Sequence, residues 1–134
     1  MKTVFADTSY YLALVNSRDE YYAAAHKYTK SFDGGFVTTA WVIAELANSL
    51  ARAANRSLFL SLLQDLRKDR RVTIVPPTTR LFDRGLDLYA RRSDKDWSLT
   101  DCISFLVMER TGLNDALSCD RHFEQAGFKM LLTR

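Results

Sequence analysis

The chain has 134 residues, of which 47% are hydrophobic and 26% charged, and a formal net charge of +3. That length suits one domain, residues 1–134, with a real core, and no apolar run approaches the ~20 residues that cross a bilayer, so a membrane span is excluded. Two widely separated cysteines in apolar surroundings, Cys102 and Cys119, read as free thiols rather than a disulfide or a zinc site.

In chain order, the opening MKTVFAD turns acidic before any apolar stretch of leader length, so a cytoplasmic protein is expected. TVFA reads as a first strand and YYLALV as the start of a helix, followed by a second helical pattern in EYYAAAHKYTKSF. GFVT near residue 35 is the next strand. WVIAELANSLARAA and LFLSLLQDLRK predict two amphipathic helices joined near Asn55. VTIVP is a third strand, ended by Pro76 and Pro77, and RLFDRGLDLYARR a further helix. LTDCISFLVMERTG predicts a helix closed by Gly112, before short strands at DALS and KMLLT. Strands alternating with helices imply a parallel sheet covered on both faces, an α/β/α sandwich.

In open parallel sheets functional groups collect beyond the carboxyl ends of the strands. Asp7 and Asp120 both stand at such ends. Each also suits a helix N-cap, where a side-chain oxygen accepts from free backbone N–H groups. Ser98 and Asp101, in SLTD, have the spacing of a capping box. Glu45 has no such explanation. With Thr39 as N-cap it falls in the second helical turn, flanked by Val42, Ile43, Ala44, Leu46 and Ala47. A carboxylate on so apolar a helix needs a partner, either a buried arginine or a bound cation.

Carboxylates drawn together raise one another's pKa unless a cation neutralises them. Oxygen ligands without a His or Cys cluster suit Mg²⁺ or Mn²⁺ better than zinc. His26 and His122 have no partner at ligand spacing and read as structural residues.

FADTSYY, TTAWVIAELANSL, WSLTDCISFLVM and ALSCDRHFEQAGF occur in an order and spacing that resemble the PIN domain, and the whole chain is similar to its single-domain VapC-type toxins. The resemblance implies a PIN fold, an acidic pocket of Asp7, Glu45, Asp101 and Asp120, and Mg²⁺- or Mn²⁺-dependent endoribonuclease activity. It also implies an RNA substrate, a cognate antitoxin and a homodimer. Where the family often has Thr two residues before the last acid, this chain has Ser118, which keeps the hydroxyl. Ser118, Thr8 and Asp96 are supporting candidates, and Asp115 a strand-start or turn residue.

An anionic pocket repels RNA unless a basic rim surrounds it. Residues 51–95 carry eleven Lys or Arg against five Asp or Glu. Arg52 and Arg56, then Arg67, Lys68, Arg70 and Arg71, are rim candidates by charge. Tyr10 and Tyr11 follow the first acid closely enough to stack on a base, although aromatics at a helix start more often belong to the core. An aspartyl-phosphate phosphatase is disfavoured because Ser9 stands where a second Asp is needed, and no P-loop follows Gly34-Gly35. The alternative function is a non-catalytic PIN-like module that binds RNA or protein.

Overall fold

The computed structural model describes residues 2–133. Its elements run β1 (Thr3–Ala6), α1 (Thr8–Val15), α2 (Tyr22–Ser31), β2 (Gly35–Thr39), α3 (Ala40–Ser49), α4 (Ala53–Lys68), β3 (Val72–Val75), α5 (Thr79–Arg91), α6 (Leu99–Arg110), β4 (Asp115–Leu117), α7 (Arg121–Gln125) and β5 (Lys129–Met130). The five strands form one sheet in the order β3-β2-β1-β4-β5, and every pairing is parallel. Parallel strands need long crossovers, which here carry the helices that flank the sheet.

The strand order locates the working end of the molecule. From β1 the chain moves outward to β2 and then β3, whereas from β4 it moves the opposite way to β5. Because β1 and β4 are neighbours, their following connections diverge and open a crevice at the carboxyl ends, the switch point at which such sheets bind ligands. Ala6 pairs with Leu117, so Asp7 and Ser118 are adjacent as the two strands end. Beyond their first residues both strands are apolar because both faces are covered: Val4, Phe5, Ala6, Ala116 and Leu117 are fully buried.

Aromatic packing fixes the helices around this crevice. Phe123 of α7 lies 6.0 Å from Phe5 of β1, and Phe105 of α6 meets Phe123 edge-on at 5.0 Å. Trp97 continues the chain against Phe105 at 4.9 Å, again edge-on. Gly85 permits α5 to approach α6 closely, since a Cβ there would stand 2.4 Å from Ile103 Cγ1. After α6, Gly112 takes a φ of +70°, the left-handed conformation that closes a helix cheaply only for glycine.

The helix pair does not break near Asn55. The turn falls at residues 50–52, and Asn55 lies inside α4, its N–H bonded to Arg52 O. ARAAN is rich in good helix formers and offers no breaker to mark a boundary. The guanidinium of Arg56 secures the turn by donating Nε–H to Ala51 O at 2.7 Å. No helix among the described residues is long and apolar enough to cross a membrane.

Candidate active site at the switch point

The site begins with Asp7, which leaves β1 in an extended conformation and makes no side-chain cap to α1. The capping explanation for this acid therefore fails. Its Oδ2 instead accepts the Ser118 hydroxyl at 2.9 Å and the Ser9 hydroxyl at 3.2 Å. Ser118 Oγ also accepts the Asp120 N–H at 2.9 Å, so one hydroxyl ties the acid after β1 to the acid after β4. Ser9 reinforces the link: its Oγ lies 3.2 Å from Ser118 Oγ and accepts the Cys119 N–H. Beside Asp7, the buried Thr8 hydroxyl has no hydrogen-bond partner among the described residues.

Asp101 belongs to the expected capping box, with both bonds formed: Asp101 N–H donates to Ser98 Oγ at 3.0 Å and Ser98 N–H to Asp101 Oδ2 at 3.1 Å. Capping does not use up the carboxylate. His122 Nδ1 stands 2.9 Å from the same Oδ2 and 3.3 Å from Asp120 Oδ1. Asp120 caps α7 by accepting the His122 N–H on Oδ1 at 2.9 Å, which brings the imidazole of that residue to the acids. Asp101, Asp120 and His122 each offer a ligand atom within 4.8 Å of the others.

His122 is thus not a bystander. Reading it as purely structural rested on the lack of a second ligand-spaced histidine, whereas its partners are carboxylates. The usable signal was the Asp120-x-His122 spacing at a helix start, which sets the N2 residue beside its cap. His26, by contrast, bonds Leu14 O through Nε2 at 2.9 Å and packs on Tyr22, away from the acids.

Each aspartate is held through one oxygen: Asp7 and Asp101 through Oδ2, Asp120 through Oδ1. The opposite oxygens accept none of these bonds. Burial, above all, pushes the Asp7 carboxyl up to about 7; the Ser118 hydroxyl and the Thr8 amide pull it down, and the charges of Asp101 and Asp120 push it up again. A buried anion in this company is unfavourable without a positive partner. A buried carboxyl that resists ionising alone, beside two further carboxylates, fits a divalent cation that prefers oxygen ligands.

Glu45 lies on α3, which packs against α6, and Thr39 caps that helix by accepting the Val42 N–H at 3.1 Å. The Glu45 carboxylate is half-buried and makes no hydrogen bond or ion pair among the described residues, so no arginine supplies the partner it needs. It is not one of the three groups that meet within 4.8 Å. Asp96 is exposed in the loop before α6 and also stands outside that group. Asp115 opens β4 and pairs with Lys2 at 3.0 Å.

Of the expected basic rim, Arg67, Lys68, Arg70 and Arg71 need correction, and Tyr10 and Tyr11 take the core role that is the commoner one for aromatics at a helix start. Tyr10 and Tyr11 are each only 2% exposed, closed off from any base. Arg67, Lys68, Arg70 and Arg71 precede β3, hence lie toward the amino ends of the parallel strands, opposite the acids. Arg71 is engaged there with Asp69, Phe32 O and the Phe36 ring. Arg52 and Arg56 are exposed at the α3–α4 turn, and Arg56 serves that turn.

The PIN domain family pattern matches residues 4–129. The 23S rRNA-specific endonuclease VapC20 of Mycobacterium tuberculosis is 26% identical over 125 residues, covering 93% of this chain and 95% of that protein. The crystal structure of that protein, described as a Sarcin-Ricin loop cleaving toxin, superposes with a TM-score of 0.84. FitAcB from Neisseria gonorrhoeae (16% identity, 96% of both chains) and VapBC2 from Rickettsia felis bound to a promoter DNA fragment (12% identity, 96% and 97%) share the fold at a TM-score of 0.67 each.

Proposed function

Because this chain belongs to the PIN domain family, we propose that it is a metal-dependent endoribonuclease, the toxin of a toxin–antitoxin pair, acting in the cytoplasm as a single PIN domain. The observation that carries this reading is the convergence of Asp7, Asp101 and Asp120 at the β1/β4 switch point, where each is braced on one oxygen. The relative whose printed name is a 23S rRNA-specific endonuclease aligns over 93% of the chain and supports the substrate class.

Asp7, Asp101 and Asp120 would hold a Mg²⁺ or Mn²⁺ ion, and Glu45, a half-buried carboxylate with no hydrogen bond or ion pair among the described residues, would complete the acid set. A bound divalent cation supplies an activated water and stabilises charge on the phosphate under attack. The remaining work belongs to the chain. Ser118 and Ser9 fix Asp7 against the start of the Asp120 turn, Ser98 fixes Asp101 at the first turn of α6, and His122 spans the latter acid and Asp120. These braces hold the acids in place before RNA arrives, so little ordering cost falls on the reaction itself.

An antitoxin partner is supported by an open hollow between α3 and α4, about 300 Å³, bordered by Leu50, Phe59 and Leu60, with Leu60 itself 60% exposed. The exposed apolar side chains Phe82 and Leu86, one turn apart on α5, are compatible with a homodimer.

The test is to incubate the purified protein with total RNA and Mn²⁺ beside Asp101→Asn and to map new RNA ends. Discrete cuts made by the parent, lost on chelation and reduced more than about a hundredfold in the variant, are expected. Identical end patterns from both proteins would mean that a contaminant does the cutting.

A further inference from the structure

Beyond the acids, the loop joining α5 to α6 forms a second open hollow, of about 580 Å³, bordered by Tyr89, Arg92, Lys95, Asp96, Trp97 and Ser98. It adjoins the candidate active site through Ser98, which lines the hollow and also donates its N–H to Asp101 Oδ2 at 3.1 Å. Within one helical turn, therefore, the wall of the hollow becomes the support of an acid.

Its surfaces are of the kind that hold an unpaired nucleotide. Tyr89 is 53% exposed, which leaves a large aromatic ring available at the end of α5. Arg92 is fixed on two sides: Nε and Nη2 reach the two Asp94 oxygens at 3.0 and 3.1 Å, and its Cζ lies 4.8 Å over the Trp97 ring. A guanidinium plane so restrained is a preorganised surface for a base. Trp97 is anchored in turn, its indole N–H donating to Gln125 Oε1 at 3.0 Å. Lys95, whose charge acts on Asp94, forms no ion pair among the described residues and offers positive charge for a phosphate, while the exposed Asp96 carboxylate makes no hydrogen bond among those residues and can accept from a ribose 2′-hydroxyl.

We infer that this hollow is a ribonucleotide subsite that seats one unstacked nucleotide of the RNA near the bond to be cut, with Tyr89 as the stacking platform, Lys95 on its phosphate and Asp96 on its sugar. The inference rests on the nuclease reading and adds the residues that grip the substrate.

Fluorescence anisotropy with a labelled single-stranded RNA octamer and its DNA counterpart tests it, in a background of Asp7→Asn to suppress cutting, with cleavage of the same RNA followed separately in proteins that retain Asp7. Tyr89→Ala is expected to weaken RNA binding about tenfold, with recovery in Tyr89→Phe and an unchanged melting temperature. Lys95→Ala should lower the salt slope by about one, and Asp96→Asn should narrow the preference for RNA over DNA. Unchanged binding in Tyr89→Ala and Lys95→Ala, while Asp101-dependent cleavage persists, overturns the subsite and leaves the nuclease reading standing. A parent protein that neither binds nor cuts the RNA overturns both.

Discussion

Asp7 shows how one residue records the demand of the whole site. An aspartate normally ionises near 3.8, and burial pushes this one up to about 7. In the metal-free protein the native state therefore retains a proton that the unfolded chain releases, so this group's contribution to stability falls as pH rises from about 4 to about 7. Asp7→Asn keeps an acceptor for Ser118 and removes the ionisation. Relative to the parent, the variant should gain less at about pH 5 than at about pH 8, where it should melt about 3 °C or more higher, by differential scanning calorimetry without metal. A melting difference that does not grow with pH would mean the carboxylate is already stable as an anion. At this scale the sequence flagged Glu45 because it lacks a local excuse, and the structure leaves its carboxylate half-buried outside the Asp101–Asp120–His122 group. Where a local role and a site role coexist, as in Asp101 and Asp120, which cap helices and also meet at the crevice, the sequence offered both readings, whereas His122 escaped notice because its neighbours are acids.

Among the elements, α6 carries the greatest functional consequence, because its first turn is both a capping box and the mount for Asp101. Ser98→Ala deletes the hydroxyl that accepts the Asp101 N–H. A loss of about 1 kcal/mol in urea-monitored stability follows, with weaker Mn²⁺ binding as the first turn frays, and Ser98→Asn should restore most of both. Equal metal affinity in Ser98→Ala would show that the cap is not what positions the acid. Strand positions were legible because alternating turn residues and buried apolar runs mark them, as VTIV before Pro76-Pro77 does. The α3–α4 boundary was not. Its turn is stabilised by one local side-chain bond, Arg56 reaching back five residues to Ala51 O, which no propensity scale records.

For the molecule as a whole, topology sorts charges that a sequence window mixes. The basic stretch 51–95 contains both Arg70 and Arg71, before β3 at the amino end of the sheet, and Arg92 and Lys95, in the loop that leads into the Asp101 helix. Of the two pairs, only the second lies in the loop before the Asp101 helix, where the proposed subsite would meet RNA. Order in the sheet, which decides this, depends on long-range pairing and is not written in any one segment. The parallel sheet and its covering helices were inferable from alternation alone; which strands are neighbours was not.

The central claim is that Asp7, Asp101 and Asp120 share a divalent cation at the β1/β4 switch point. Isothermal titration of the metal-free protein with Mn²⁺ at about pH 7.5 tests it most directly, since ligands must be deprotonated for binding. Saturable binding accompanied by proton release, abolished in Asp101→Asn and weakened at about pH 5, is the predicted result. Absence of saturable binding in the parent, or equal binding by Asp101→Asn, would contradict it.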